Sequence, residues 1–258
     1  MPPLKLPRLS QLIMLALPVL LQASPGSHDS PKLFIGGGGQ MGALHKDFAD
    51  LAGPEAKLIV IPTAKGEPDL EAEHAAWKQR GFEHVHVLHT DDPGLAASQR
   101  FAEPIRFATA VWITGGVQQN LSRLYADTPV EKELIALLER GGVIGGSSAG
   151  AAIQTKAMLC GGTVRPDIWS GFDLLQGAII DQHFLKKNRL HRLMDAVRKN
   201  PNLIGYGIDE GTALIAENDK LRVVGKSYVL RFKMVDRELQ IDAFKAGDEL
   251  PLPKDEKH

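Results

Sequence analysis

Cysteine is almost missing from this chain: its 258 residues include one, Cys160. A single thiol excludes an intramolecular disulfide and any zinc site built from cysteines. An excess of either charge is missing as well. Lys and Arg number 30 against 31 for Asp and Glu, so no broad field favours nucleic acid or an anionic membrane. The apolar run from Leu12 to Leu21 is too short to span a bilayer and is broken by Pro18. No internal repeat and no composition-biased linker divides the chain. What remains is 43% hydrophobic and 24% charged, which supplies a sizeable core in one large domain or two small ones.

The first residues differ in kind from the rest. Lys5 and Arg8 precede the Leu12 to Leu21 run, and the small, polar stretch Gln22 to Ser27 follows it. Basic, then apolar, then small is the layout of a secretory leader. The reading is a signal peptide over 1–23, cleaved after Ala23, and a secreted or periplasmic protein free of the membrane after cleavage. Residues 24–258 then form a single α/β domain.

Strand-like runs of mainly apolar character recur at Lys32 to Ile35, Lys57 to Ile61, His84 to Leu88 and Ala110 to Thr114. Between them lie amphipathic stretches with helix signals. Asp69 caps a helix running to Arg80. Thr128 caps another, with Pro129 at its first position, Glu131 completing a capping box, and Val130, Leu134, Leu137 and Leu138 as its buried stripe. Apolar strands alternating with such helices predict a parallel sheet covered on both faces. In that architecture the working groups gather where strands end and helices begin. Leu221 to Gly225 and Val229 to Met234 read as a final pair of strands near a sheet edge, and the tail from Leu250 as loose.

One strand end carries chemistry. Val143-Ile144 runs into Gly146-Ser147-Ser148-Ala149-Gly150, a G-x-S-x-G nucleophile elbow, and Ala151 to Met158 reads as the helix after it. Ser148 at the apex is the candidate nucleophile, and the helix start aims N–H groups at charge developing there. A serine needs a base, and the base needs an acid to orient it. Ile179-Ile180-Asp181-Gln182-His183 and Ile204 to Ile208 followed by Asp209-Glu210 are strand-like runs ending in such groups. His183 is the candidate base, and Glu210 or Asp209 the orienting acid, all three converging at one rim of a single sheet. The order Ser, His, acid argues against an α/β-hydrolase, where the acid precedes the histidine.

Taken together, Gly146 to Gly150, Asp181-Gln182-His183-Phe184 and Gly207-Ile208-Asp209-Glu210 resemble the S51 serine peptidases. Within them the chain looks closest to the cyanophycinases, with the aspartyl dipeptidase peptidase E as sister group; Arg189-Leu190-His191-Arg192-Leu193 extends the match. The resemblance runs from about Leu33 to Leu252. It implies a three-layer α/β sandwich with a mainly parallel central sheet, like class I glutamine amidotransferases (flavodoxin-like), with serine replacing cysteine at the elbow. It implies Ser148 as nucleophile, His183 as base and Glu210 as orienting acid. The oxyanion hole would come from the Ala149 N–H and one from the Gly115-Gly116-Val117 turn, hence Gly116 or Val117. Gln118, Asp181, Arg189 and Arg192 match positions near the substrate. That substrate would be cyanophycin, a poly-aspartate with arginine on each β-carboxyl, cut to β-Asp-Arg dipeptides; Asp-X dipeptides are the alternative. Val117 and Lys187 depart from the pattern, standing where an acid and an arginine are usual. Proteins of this fold are commonly dimeric, so a homodimer is the implied assembly. No cofactor is implied.

Two further patterns carry less. Gly37-x-Gly39-x-x-Gly42 fits a dinucleotide fingerprint, but the next strand ends in Pro62-Thr63 with no acid for a ribose. It reads as a tight turn lining the cleft. His84, His86 and His89 have no carboxylate or cysteine at ligand spacing, so no metal site is predicted. The rival to an enzyme is a non-catalytic binding module on the same scaffold.

Overall fold

A computed structural model describes residues 31–162 and 165–253. The leader predicted over 1–23 lies outside them, as does the tail from 254 to 258. Among the described residues no helix is long and apolar enough to cross a membrane.

The strands are β1 Lys32–Gly36, β2 Lys57–Ile61, β3 His84–Val87, β4 Ala110–Ile113, β5 Val143–Ser147, β6 Ala157–Gly161 and β7 Asp167–Ser170. They continue as β8 Ala178–Gln182, β9 Ile204–Ile208, β10 Thr212–Glu217, β11 Lys220–Gly225, β12 Tyr228–Val235, β13 Glu238–Lys245 and β14 Glu249–Pro251. The helices are α1 Leu44–Ala52, α2 Leu70–Gln79, α3 Pro93–Ala96, α4 Gln99–Ala102, α5 Gln118–Tyr125, α6 Pro129–Glu139, α7 Ala149–Ala152 and α8 Leu190–Lys199.

The central sheet has eight strands in the order β14-β11-β10-β1-β5-β4-β2-β3. From β1 to β3 every pairing is parallel, while β10, β11 and β14 continue it antiparallel. Because side chains alternate along a strand, these apolar strands feed two cores. Leu33, Ile35, Ile59, Val111 and Ile144 face one way and pack with Leu121, Tyr125, Leu134 and Leu137 of α5 and α6. Phe34, Leu58, Val60 and Trp112 face the other and pack with Phe48 of α1 and Trp77 of α2. The mainly parallel three-layer arrangement predicted from the sequence is therefore present.

The caps hold with one change. The Asp69 side chain accepts from the Ala72 N–H, and Thr128 Oγ1 accepts from the Val130 N–H. Glu131 reaches past the cap and accepts from the Asp127 N–H instead. Other expectations are corrected. The helix after the elbow stops at Ala152, because the Ile153 and Gln154 carbonyls are taken by the Phe172, Leu174 and Leu175 N–H groups and the chain turns into β6. The two late strands do not pair: β11 lies in the central sheet, and β12 belongs to a second sheet of order β13-β12-β9-β8. The tail is tied down as far as β14, where Leu250 is buried opposite Leu221 of β11.

The second sheet changes the picture of the candidate site. Ser148 leaves the central sheet at the end of β5, whereas His183 and Glu210 follow β8 and β9, a parallel pair in the other sheet. The predicted single rim is thus a seam between two sheets. It is closed by the backbone that follows β1. Gly36 O accepts the Ser148 N–H at 3.0 Å, Gly37 O accepts the His183 N–H at 2.8 Å, and Gly38 O accepts the Gly211 N–H at 3.0 Å. The glycine run has to be bare, because a Cβ on Gly37 would sit 2.1 Å from the Asp209 carbonyl oxygen. This is the tight turn expected of that motif, with a reason attached.

Gly37→Ala forces that seam open. The expected cost is about 1–3 kcal/mol from overpacking against backbone, read as a lower denaturant midpoint.

Candidate active site

Ser148 has φ 54° and ψ −112°, a conformation that costs an L-residue on the order of 1–3 kcal/mol. The surroundings hold it there. Its N–H is tied to Gly36 O, and its carbonyl accepts the Ala151 and Ala152 N–H groups of the short helix behind it. A Cβ at Gly146 or Gly150 would lie 2.3 or 2.0 Å from a backbone oxygen, so the elbow closes only with glycine at both places.

His183 also has positive φ, 51°, at the end of β8. Its Nε2 lies 2.8 Å from Ser148 Oγ, and its Nδ1 lies 2.7 Å from Glu210 Oε1. A carboxylate only accepts, so Nδ1–H donates to Glu210 and Nε2 is left to accept from the serine hydroxyl. Burial pushes the imidazole below its ordinary pKa of 6.5; the Glu210 hydrogen bond opposes this, and the nearby Lys187 charge adds to it. Neutral imidazole is therefore the resting form near neutral pH.

Which acid orients the histidine was open between neighbours, and the geometry separates them. Glu210 meets the imidazole. Asp209 turns away and accepts from the Leu185 and Lys186 N–H groups at 3.1 and 3.0 Å and from Ser227 Oγ at 2.7 Å. It pins the loop that follows His183 to the start of β12.

The Gly115–Val117 turn lies against the serine: a Cβ on Gly115 would be 3.2 Å from Ser148 Cβ. The Val117 N–H, however, donates to Ala64 O at 2.7 Å. Val117 is thereby withdrawn as an oxyanion donor, because its one N–H is already spent. Gly116 and Ala149 remain; Ala149 opens α7, where the first N–H groups have no intrahelical acceptor.

The polar residues expected near a substrate are placed differently. Asp181 is fully buried, and its carboxylate is clasped by Arg192 through both Nε and Nη2, with Arg189 Nη1 at 3.3 Å. Arg192 is 3% exposed and also reaches the Gly161 and Gly162 carbonyls. The two are corrected from substrate contacts to partners of each other: Asp181 already holds a guanidinium, and it is the protein's own. Arg189 is the less buried of the two arginines, and it donates to the Gln182 carbonyl, just before His183. Gln118 is buried at the start of α5 and donates to Leu159 O of β6 at 2.7 Å. Among the described residues no group of three or more His, Cys, Asp or Glu could hold a metal ion.

Residues 33–224 match the model of peptidase family S51. Cyanophycinase from Geminocystis herdmanii is 32% identical over 188 residues, 69% of each chain. The cyanophycinases of Synechococcus elongatus and Trichormus variabilis are each 33% identical, over 69% and 72% of this chain and 58% and 66% of theirs. This chain therefore spans less than two thirds of the length of those last two. The chain belongs to peptidase family S51. It is a serine-type peptidase. Solved structures agree on the fold. A peptidase from an acI-B1 Actinobacterium superimposes with a TM-score of 0.68 at 24% identity, covering 87% of this chain and 98% of that one. A candidate peptidase E from Listeria monocytogenes gives 0.56 at 19% identity, over 77% and 100%.

The sequence left the work of Asp209 open. Hydrogen bonds to its carboxylate outweigh the opposing effect of burial and hold its pKa below the ordinary 3.8. A carboxyl held low stabilises the fold above its unfolded pKa, and that contribution is lost as pH falls through the folded value. Asp209→Asn should lower the melting temperature at neutral pH and flatten its decline below about pH 4, measured by thermal unfolding across pH.

Proposed function

We propose that Ser148, His183 and Glu210 act as a catalytic triad cleaving aspartyl peptide bonds, with cyanophycin-type β-aspartyl-arginine links as the first choice of substrate. The observation that carries the reading is the unbroken chain from Ser148 Oγ through both nitrogens of His183 to Glu210. In this mechanism Ser148 Oγ attacks the scissile carbonyl while its proton passes to His183 Nε2. Glu210 keeps the proton on Nδ1 in place and offsets the imidazolium charge. The tetrahedral oxyanion meets the N–H groups of Ala149 and Gly116, donors typically worth about 3 kcal/mol each in the transition state. The imidazolium then protonates the leaving amine. Water, deprotonated by the same nitrogen, releases the acyl group from Ser148.

The choice of substrate draws on the cyanophycinase relatives and on the mixed charges around β8. One observation favours a second reading, an α-aspartyl dipeptidase. With Asp181 clasped by Arg192 and also bonded to Arg189, the charges beside His183 carry cations in excess, Lys187 among them. Those suit a substrate carboxylate better than a guanidinium. Rates on cyanophycin against Asp-X dipeptides separate the two, with product masses naming the bond cut. Export belongs to the same proposal, supported by the order of basic, apolar and small residues in the first 27.

Ser148→Ala should lower kcat by about a thousandfold or more, and Glu210→Gln by a comparable factor with little change in stability. Full hydrolysis by Ser148→Ala would end the proposal. Because His183 must be neutral to accept a proton, kcat/KM should be present above its folded pKa and lost as pH falls through it. That acid limb should lie below the ordinary 6.5. Lys187→Gln removes one cause of the depression and should move the limb to higher pH, read from the pH–rate profile.

A further inference from the structure

A cavity of about 430 Å³ opens beyond the C-terminal ends of β2 and β3, lined by none of Ser148, His183 and Glu210. Its volume falls in the range of small-molecule sites, about 300–1,000 Å³, and its place is where parallel sheets present ligands. One wall is α5, carrying Asn120 and Arg123; the opposite wall is the loop after β3, carrying His89 and Asp91; Thr63 lies between.

The floor is a hydrogen-bonded relay whose direction can be worked out. The Thr90 N–H donates to Tyr125 Oη at 3.3 Å, Tyr125 Oη lies 2.8 Å from Thr63 Oγ1, and Thr63 Oγ1 lies 3.0 Å from His89 Nδ1. Tyr125 and Thr63 are 0% and 1% exposed, so each hydroxyl hydrogen must be given to a protein acceptor. Tyr125 gives its own to Thr63, and Thr63 then gives its own to His89 Nδ1. Burial holds the imidazole below its ordinary pKa, with Asp91 opposing, so the ring is neutral near pH 7. Its one proton is consequently on Nε2. The relay thus fixes His89 as a hydrogen-bond donor through Nε2, a role that nothing in the proposed serine chemistry uses.

The charges across the cavity are also unspent. Arg123 makes only a long contact of 3.4 Å with Asn120 Oδ1, which leaves the Asn120 amide hydrogens free. None of the ion pairs found among the described residues involves Arg123 or Asp91. Three donors, Arg123, Asn120 and His89, therefore line one space with a single carboxylate.

We propose that this cavity is a second ligand site, for a small zwitterion with more carboxylate than ammonium, of the acidic amino-acid class. Its carboxylates bind Arg123, Asn120 and His89 Nε2–H, and its ammonium binds Asp91. The proposal does not rest on the serine chemistry.

Calorimetry on the full chain tests it with two probes, L-aspartate and succinate, which differ by the ammonium group. L-aspartate should bind saturably and more tightly than succinate. Arg123→Met should weaken both by about tenfold or more. Asp91→Asn should weaken L-aspartate alone and erase its preference. Both side chains are exposed, so the variants keep the fold, which an unchanged melting temperature verifies. Absence of saturable L-aspartate binding at millimolar concentration overturns the proposal. So does affinity that Arg123→Met leaves unchanged, which would put the ligand elsewhere, or a preference that survives Asp91→Asn.

Discussion

Three consecutive backbone carbonyls, those of Gly36, Gly37 and Gly38, hold the candidate site together. Each accepts an N–H from a different loop: the elbow at Ser148, the end of β8 at His183, and the turn after Glu210 at Gly211. The two sheets share a core but no strand, so these bonds set their register at the site, where a proton relay tolerates little sliding. Well-built sites keep their groups within about 0.5 Å of working geometry. Backbone hydrogen bonds from a single short segment achieve this without side chains, whose rotamers would add slack. The absence of Cβ atoms is what lets the segment come close enough.

Charge reinforces the same placement from the far side of His183. Asp181 precedes it by two residues and is buried with no solvent to stabilise its charge; two guanidinium groups do so instead. A buried ion pair is weak evidence of net stability, because desolvation offsets most of the attraction. Its value here is positional. Arg192 spans from Asp181 to the Gly161 and Gly162 carbonyls, so the end of β8 is tied to the β6–β7 hairpin. Arg189 closes the last step by donating to Gln182 O. The two arginines exceed the one carboxylate by a positive charge, and Arg189 is among the causes that lower the pKa of the neighbouring imidazole. The cluster that fixes where the histidine sits also helps to keep it unprotonated.

Much of this was legible in the residues, and the reasons for the gaps are physical. Buried parallel strands advertise themselves by unbroken apolar runs, so β1, β2, β4 and β5 could be read directly, and the G-x-S-x-G turn betrayed Ser148. The partition into two sheets could not be read. A strand's own pattern says that it is buried, not which neighbour it pairs with, and β8 and β9 look like members of the central sheet. The length of α7 was hidden for a related reason: Ala151 to Met158 has fair helix propensity, and tertiary capture of the Ile153 and Gln154 carbonyls overrides it. Asp181 and Arg192 were set near the substrate by resemblance, which says nothing of whether two such residues spend their charge on each other. Residues eleven apart, one on a strand and one on the helix that packs beside it, can satisfy each other out of water.

Asp209 and Glu210 make the sharpest case of what spacing alone leaves undecided. Both are acids at the end of one strand, and either could be drawn against His183. Successive side chains leaving a strand point to opposite sides, so only one of the pair can face the seam. The one that turns away is not idle. By holding the Leu185 and Lys186 N–H groups and the Ser227 hydroxyl, Asp209 fixes the loop on the far side of His183, while Glu210 fixes the ring itself. Neither position is therefore exchangeable with the other. An acid at 209 cannot replace one at 210 without swinging the strand end out of its pairing with β12.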